Sequence, residues 1–390
     1  MPPSSSHSIR KFRFNRPQQI AAVLLLFLLG QCLWVTFHQT LSETDYNFAR
    51  CGREIWERPS PLAGYFTSCG NIPDGTLAYR AAALPLTIQR IFAGQASSTS
   101  TYEMRHEISY VKLLMRLPFI AAGLALGACL WWVTRRLYGN TGGYIALTLY
   151  CFSPPIVHAS TYPNNEILAA FGLFSVIYTA IGVSHAMQGP RRKWRPRIVL
   201  LTLAFGFTAA AHISAFVLGL VLAIAFMAYV AEGRRAYLPT LLIIWVSGAM
   251  FLLFASYAFH PDAFSYVFRS AAGRMWFSLD GARAFFSSLP NTGITIATIA
   301  ALGLYLAFRR SRYFGNTTPL LLAALLLVLT TTGIQASPWL WALPFLLTFI
   351  AGIFADVLET RYRKLFVWVT SGLVLAQIAL CLASLPLLAQ

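Results

Sequence analysis

Apolar residues along this chain run in unbroken blocks and do not alternate with polar ones. The first block extends from Ile20 to Phe37, and others lie near 113–133, 143–158, 166–186, 198–231, 238–258, 291–308, 318–335, 338–355 and 366–388. Blocks without a polar stripe predict helices that are apolar all round. Crossing a hydrocarbon core of about 30 Å takes roughly 20 residues, so each block is a candidate membrane span. The block 198–231 holds 34 residues and as one helix would reach about 51 Å, too long for an upright span. Read as two short spans with a turn near Ala211-His212, it brings the expected total to eleven.

The placement of charge supports that split. With eleven spans and a cytoplasmic N-terminus, parity puts every basic cluster on the cytoplasmic side: the tail 1–17, Arg135/Arg136, Arg191 to Arg197, Arg234/Arg235, Arg309 to Arg312 and Arg361 to Lys364. These hold 19 of the 30 Lys and Arg residues, as the positive-inside rule requires. A single span over 198–231 would throw the last three clusters outside. No small-residue cleavage site follows the first block, where Gln31-Cys32-Leu33-Trp34 stands, so it is read as an uncleaved span.

Composition narrows the class further. Of 390 residues 57 % are hydrophobic and only 11 % charged, against about 25 % charged in soluble domains. A soluble fold of this size could not cover its surface with so few charges, which excludes a soluble enzyme. The formal charge of +17 would suggest nucleic acid in a soluble protein. Here it is cytoplasmic loop charge, and no nucleic-acid partner is expected. The expected fold is an all-α polytopic transmembrane bundle, one integral membrane domain over 1–390.

Two segments between spans are long and fall on the extracytoplasmic side. The first, 38–111, far exceeds an ordinary connection and is expected to carry function. Within it Leu77, Ala81, Leu84, Ile88 and Ile91 recur at a helical period, predicting an amphipathic interfacial helix bent at Pro85. The second, 259–290, mixes His260, Asp262, Arg269, Arg274 and Arg283 with Phe264, Phe268 and Trp276, and also reads as interfacial. Cys51 and Cys69 lie 18 residues apart in the first segment. In an oxidising compartment they are a disulfide candidate worth about 3 kcal/mol. The other four cysteines sit in spans, where a free thiol is the default. No metal-ligand spacing is present, and Gly123-x-x-x-Gly127 reads as close helix packing.

The acidic residues concentrate on the outer face, where ten of the 13 fall. Two groups stand at span ends: Glu43-Thr44-Asp45-Tyr46 and Tyr162-Pro163-Asn164-Asn165-Glu166. Carboxylates at a membrane boundary are costly to bury and tend to face a cavity or one another. Converging on one cleft, they would supply a general base and an orienting or metal-binding partner. The plainer alternative makes Asp45 a solvated loop acid and Glu166 a first-turn residue favoured by its helix dipole. Glu54 and Glu57 read as a solvated face beside Arg53 and Arg58, and His158, His212 and His260 as ordinary interfacial histidines.

In order and type these features resemble the GT-C superfamily of membrane glycosyltransferases, which use polyprenyl-phosphate-linked sugars. The nearest pattern is that of bacterial protein O-mannosyltransferases and of the aminoarabinose transferase acting on lipid A. Glu43-Thr44-Asp45-Tyr46 with Ala49-Arg50 is similar to the family's acidic loop motif. Arg135-Arg136-Leu137-Tyr138-Gly139, leading to Ser153-Pro154-Pro155, is similar to its cytoplasmic turn. Asn165-Glu166 matches the second acidic position, and Ser337 to Phe345 the aromatic-leucine-proline span. The chain departs from the pattern in separating Glu43 from Asp45 by Thr44, where the family has adjacent acids. It also carries no soluble C-terminal domain of the kind several members have, which leaves acceptor binding to the two external segments.

The resemblance implies transfer of a sugar from a polyprenyl-phosphate carrier to an extracytoplasmic acceptor (lipid, glycan or protein), with inversion, in a bacterial inner membrane. Asp45 is the first choice of base and Glu43 the second, with Glu166 the further acid of the site. Arg80, Arg90, Arg269 and Arg274 would meet the leaving phosphate or else snorkel to lipid headgroups. Tyr46 and Asn165 would contact substrate. The carboxylates could hold Mg²⁺ or Mn²⁺ or act alone. Two other classes fit the same outline: a transporter or flippase of a lipid-linked substrate, which would favour mid-membrane charge and matched halves, and an inactive scaffold relative.

Overall fold

The computed structural model describes residues 15–57, 72, 74–93, 101–187, 194–272, 276–307, 314–331 and 338–389. Among them are fifteen α-helices. The first four are α1 (Arg16–His38), α2 (Glu43–Glu57), α3 (Leu77–Ala93) and α4 (Thr101–Cys151). There follow α5 (Pro154–Thr161), α6 (Asn165–Met187), α7 (Arg195–Ala211), α8 (Ile213–Val230) and α9 (Leu238–Ser256). The last six are α10 (Pro261–Ala272), α11 (Asp280–Ser287), α12 (Thr292–Ala307), α13 (Phe314–Leu329), α14 (Pro338–Val357) and α15 (Arg363–Leu388).

Among the described residues eight helical stretches are long and apolar enough to cross a membrane, against the eleven spans expected. The difference has three sources. The blocks 113–133 and 143–158 fall in one helical stretch, Ser109–Cys151, that counts once. The chain nevertheless doubles back at Gly139, whose φ of 74° only glycine adopts without strain: Tyr150 OH donates to Gly123 O, 27 positions away, at 2.7 Å, so the two blocks lie side by side as the two spans expected. Helix α7 has 17 residues, and the apolar part of α13 spans Thr317–Leu329. The block 198–231 does break where expected. His212 takes extended geometry (φ −155°, ψ 120°), and its Nδ1 accepts from the Ser214 N–H, which caps α8.

Helix α14 is the hub, with 94 % of its apolar window buried. It packs on α4, α6, α12 and α13. At the periphery α15 buries only 17 % of its window, leaving Leu365, Val367, Trp368 and Leu375 exposed. An apolar surface this extensive is unstable in water and suits lipid. Polar groups within the bundle are paired instead. Gln377 of α15 donates to Phe152 O and Pro290 O and accepts from the Ile294 N–H. Gln31 of α1 donates to Cys151 O. Cys32, Cys129, Cys151 and Cys381 are free thiols, as expected for span residues.

The all-α expectation needs one small correction. Strand β1 (Trp276–Phe277) pairs antiparallel with β2 (Thr330–Thr331), with Trp276 opposite Thr331. The pair exists because α13 ends at the level of the second long segment, and the Ser278 N–H also reaches Leu329 O. Helices α10 and α11 supply the short amphipathic elements expected of that segment.

In the first long segment α3 carries Pro85 at the expected place. Its small face, Ala78, Ala82 and Ala83, is buried, while Leu84, Ile88 and Ile91 of the expected apolar stripe are exposed. Helices α2 and α3 approach so closely that a Cβ at Gly52 would lie 2.0 Å from Tyr79 O and 2.6 Å from Ala83 Cβ. Gly52→Ala is therefore expected to pry the pair apart at about 1–3 kcal/mol, the usual cost of overpacking. A lowered thermal midpoint with unchanged membrane insertion would check it.

Candidate active site

The site sits where α2 meets the end of α1 and the early part of α4. Ser42 and Asp45 build the start of α2 reciprocally. The Asp45 N–H donates to Ser42 Oγ at 3.1 Å, and the Ser42 N–H donates to Asp45 Oδ2 at 3.1 Å. This is a capping box with Asp in the third helical position. The same Oδ2 receives Arg116 Nη2 of α4 at 2.6 Å, and both side chains are almost fully buried, at 2 % and 1 % exposure. Asp45 Oδ1 has no bond among the described residues.

Arg116 holds two further groups of the α1–α2 turn. Its Nη1 donates to Gln39 Oε1 at 2.9 Å and its Nη2 to Thr40 O at 3.3 Å. One turn earlier Lys112 Nζ donates to Phe37 O and Gln39 O at 3.1 and 2.9 Å. The two cations satisfy carbonyls that the end of α1 leaves without helical partners. Neither was singled out in the sequence. The signal was available: two basic residues one helical turn apart, entering a span at the face where cations are otherwise sparse.

On its other side Arg116 acts electrostatically on His158 of α5. The His158 ring lies 4.7 Å from that of Tyr162. Burial, then the Glu166 carboxylate, push the Tyr162 phenol up. The two acidic motifs thus stand at either end of one row, Asp45, Arg116, His158, Tyr162, Glu166, without direct contact between the acids. Asn164 closes the turn, accepting from the Ile167 N–H and donating to Ala159 O and Tyr162 O. Asn165 Oδ1 is buried without a partner among the described residues.

The remaining expected residues are distributed around this row. Glu43 opens α2 on its exposed side, where the helix dipole favours an acid. Tyr46 is 64 % exposed. Arg80 donates through Nε and Nη2 to Ser256 O at 3.2 and 2.6 Å, compensating the negative end of α9. Arg90 pairs with Glu57. Arg269 is exposed and donates to Ser265 Oγ at 3.0 Å. Arg274 lies outside the described residues. Cys51 is buried and disulfide-bonded, and its expected partner Cys69 lies outside the described residues.

Glu57 is not a solvated acid but a clamp. Burial acts on it upward, yet the hydrogen bonds and charges of Arg53 and Arg90 outweigh burial and hold its carboxyl below the usual 4.5. A carboxyl lowered in the folded state stabilises the fold above its ordinary value and loses that contribution as pH falls through the folded value. Amide-exchange protection of α2 and α3 is accordingly expected to weaken on acidification below about pH 4.5, and a Glu57→Gln variant to show a flatter profile.

A second polar group lies beside the first. Asp74 Oδ1 stands 3.5 Å from His212 Nε2 at the α7–α8 break. Tyr257 OH donates to Asp74 O, and the edge of His212 meets Trp341 of α14 at 4.8 Å. Burial and then the Asp74 charge raise the Tyr79 phenol, whose ring stacks on Phe48 of α2 at 4.2 Å. Neither Asp74 nor His212 was expected here. Only the fold brings the α7–α8 break under the first external segment.

No group of three or more His, Cys, Asp or Glu positioned for a metal exists among the described residues. The charged neighbours of Asp45 are the cations Arg116 and Lys112, a donor set that does not match a divalent ion.

No protein-family model and no curated protein matches the chain. Solved structures do. ArnT from Cupriavidus metallidurans, bound to undecaprenyl phosphate, superposes with a TM-score of 0.59 at 14 % identity, over 94 % of this chain and 73 % of that one. Its apo state gives 0.59 at 13 % identity, over 95 % and 73 %. The archaeal oligosaccharyltransferase AglB from Archaeoglobus fulgidus, in complex with an inhibitory peptide and a dolichol-phosphate, gives 0.57 at 13 % identity, over 96 % and 55 %. These likenesses establish the fold: nearly the whole chain takes the GT-C-like fold of these two proteins.

Proposed function

We propose that this GT-C-like chain is a membrane glycosyltransferase. It would move a sugar from a polyprenyl-phosphate carrier to an extracytoplasmic acceptor, with Asp45 as general base. The observation that carries the reading is the buried Asp45–Arg116 pair, set where α2 meets the end of α1 and the early part of α4 in a bundle with a GT-C-like fold. Burying two charges costs several kcal/mol per ion before pairing repays it. A capping box alone needs no buried arginine, so the pair points to a carboxylate held in place and aimed.

In this mechanism Oδ2 is committed to Arg116 and the Ser42 N–H, and Oδ1 takes the proton from the acceptor hydroxyl. The acceptor oxygen attacks the anomeric carbon from the face opposite the carrier. The bond from that carbon to the phosphate oxygen breaks, the configuration inverts, and the polyprenyl phosphate leaves with the electron pair. Arg116 and Lys112 supply positive charge at the site as the phosphate departs. Arg80 and Arg90, held by Ser256 O and Glu57, act by fixing α3 against α9 and α2.

On this reading the chain lies in a bacterial inner membrane with its basic clusters in the cytoplasm, as their distribution supports. From Arg116 to Arg136 along α4 is about 30 Å, the thickness of one hydrocarbon core. The acidic site and the basic turn therefore stand at opposite membrane faces. Purified protein is to be incubated with a radiolabelled polyprenyl-phosphate sugar and a membrane extract. Label appearing in a new acceptor supports the transferase. Movement of the labelled lipid across a vesicle without transfer would make the protein a flippase, and neither outcome would make it a scaffold.

A further inference from the structure

Far from the acidic site, α4, α6 and α7 enclose a groove that the proposed reaction does not use. Its inner part, about 570 Å³, is lined by Cys129, Phe171, Ser175, Leu203 and Phe207. A second cavity of about 770 Å³ continues it toward the Arg135/Arg136 turn, lined by Arg136, Gly182, His185 and Arg197. The two share Trp132, Val133, Tyr178, Thr179 and Leu200, so they form one continuous channel.

The channel is apolar at its inner end and cationic at its outer end. Arg136 lies over the Trp132 ring at 5.4 Å. Arg197 donates to Gly182 O at 2.6 Å. Both arginines are exposed, and neither has a carboxylate partner among the described residues. Along α4 the groove runs from Ala128 to Leu137, about 14 Å, close to the depth of one leaflet of a core about 30 Å thick. A bilayer-long ligand would need twice that depth.

We propose that this groove is a binding site for an anionic glycerophospholipid of the leaflet opposite the acidic site. One acyl chain lies between Phe171 and Trp132, and the phosphate lies between Arg136 and Arg197. Charge selects the headgroup, and the leaflet-length apolar lining selects the chain. The site is distinct from that of the sugar carrier, whose phosphate must reach Asp45 about 30 Å away along α4. The inference does not depend on the transferase reading.

The test uses the full chain, purified, delipidated and examined by native mass spectrometry with equal phosphatidylglycerol and phosphatidylcholine of matched chains. The wild type is expected to retain phosphatidylglycerol with a preference on the order of ten- to thirtyfold, which two arginines near a headgroup supply. Arg136→Gln with Arg197→Gln should abolish the preference while leaving uptake of phosphatidylcholine. Ser175→Trp should reduce uptake of both lipids. Equal retention by the wild type would overturn the proposal, as would a preference surviving the double substitution, which would place selectivity at another basic cluster. Stoichiometric displacement of phosphatidylglycerol by a polyprenyl phosphate would reassign the groove to the carrier.

Discussion

Asp45→Asn is expected to lower sugar transfer by about 10²–10⁴-fold, the usual contribution of a positioned base. The substitution is close to isosteric. An amide oxygen can still accept from the Ser42 N–H and from Arg116, so the capping box and the entry to α2 persist. What is lost is the capacity to take a proton. The measurement is transfer of labelled sugar by the purified variant, with membrane insertion and thermal midpoint as controls. Retention of most activity would remove Asp45 from the base role and turn attention to Glu43, two residues earlier on the exposed side of the same helix. A Glu43→Gln variant made in parallel separates the two.

Arg116→Met is expected to give the largest loss of stability, about 3–5 kcal/mol, because it leaves Asp45 buried without its ion-pair partner. The loss has two parts. The carboxylate forfeits its 2.6 Å partner in a site closed to water, and Gln39 and Thr40 forfeit the donors that hold the α1–α2 turn. Replacing both members of the pair, Asp45→Leu with Arg116→Met, should recover much of the deficit, since neither member then remains as a lone buried charge. A double-mutant cycle on the thermal or denaturant midpoint would read the coupling directly. Additive effects of the two substitutions would show that the contact contributes little.

These two residues show how far one-dimensional reading reaches. Asp45 is legible because an acid at a span boundary is costly and because it stands in a recognisable motif. Its partner is 71 positions away, and nothing local to Asp45 points there. The same holds for Asp74 and His212: the break at His212 is legible from the length of the apolar block, yet its proximity to Asp74 is a matter of packing. Arg80 and Arg90 illustrate the converse. Composition makes them candidates for a phosphate, and only the fold shows their guanidiniums at Ser256 O and Glu57. The count of long spans differs for a related reason. Hydropathy marks where a chain is apolar, and it does not report where each helix ends: α7 has 17 residues and the apolar part of α13 only Thr317–Leu329.

Membrane residence, helical architecture, the eight-plus crossings' approximate positions and the crowding of acids at one face all follow from local composition. Each rests on a free energy summed over neighbouring residues: transfer of about twenty apolar side chains, satisfaction of backbone groups within a helix, and the bias against moving cations across lipid. The pairing of Asp45 with Arg116, the row through His158 and Tyr162 to Glu166, the hub position of α14 and the groove between α4, α6 and α7 depend on which helix lies beside which. In a bilayer that choice is made by close packing and interhelical polar contacts, not by hydrophobicity. Those are contact properties of residues far apart in the chain, and they come into being only when the helices assemble.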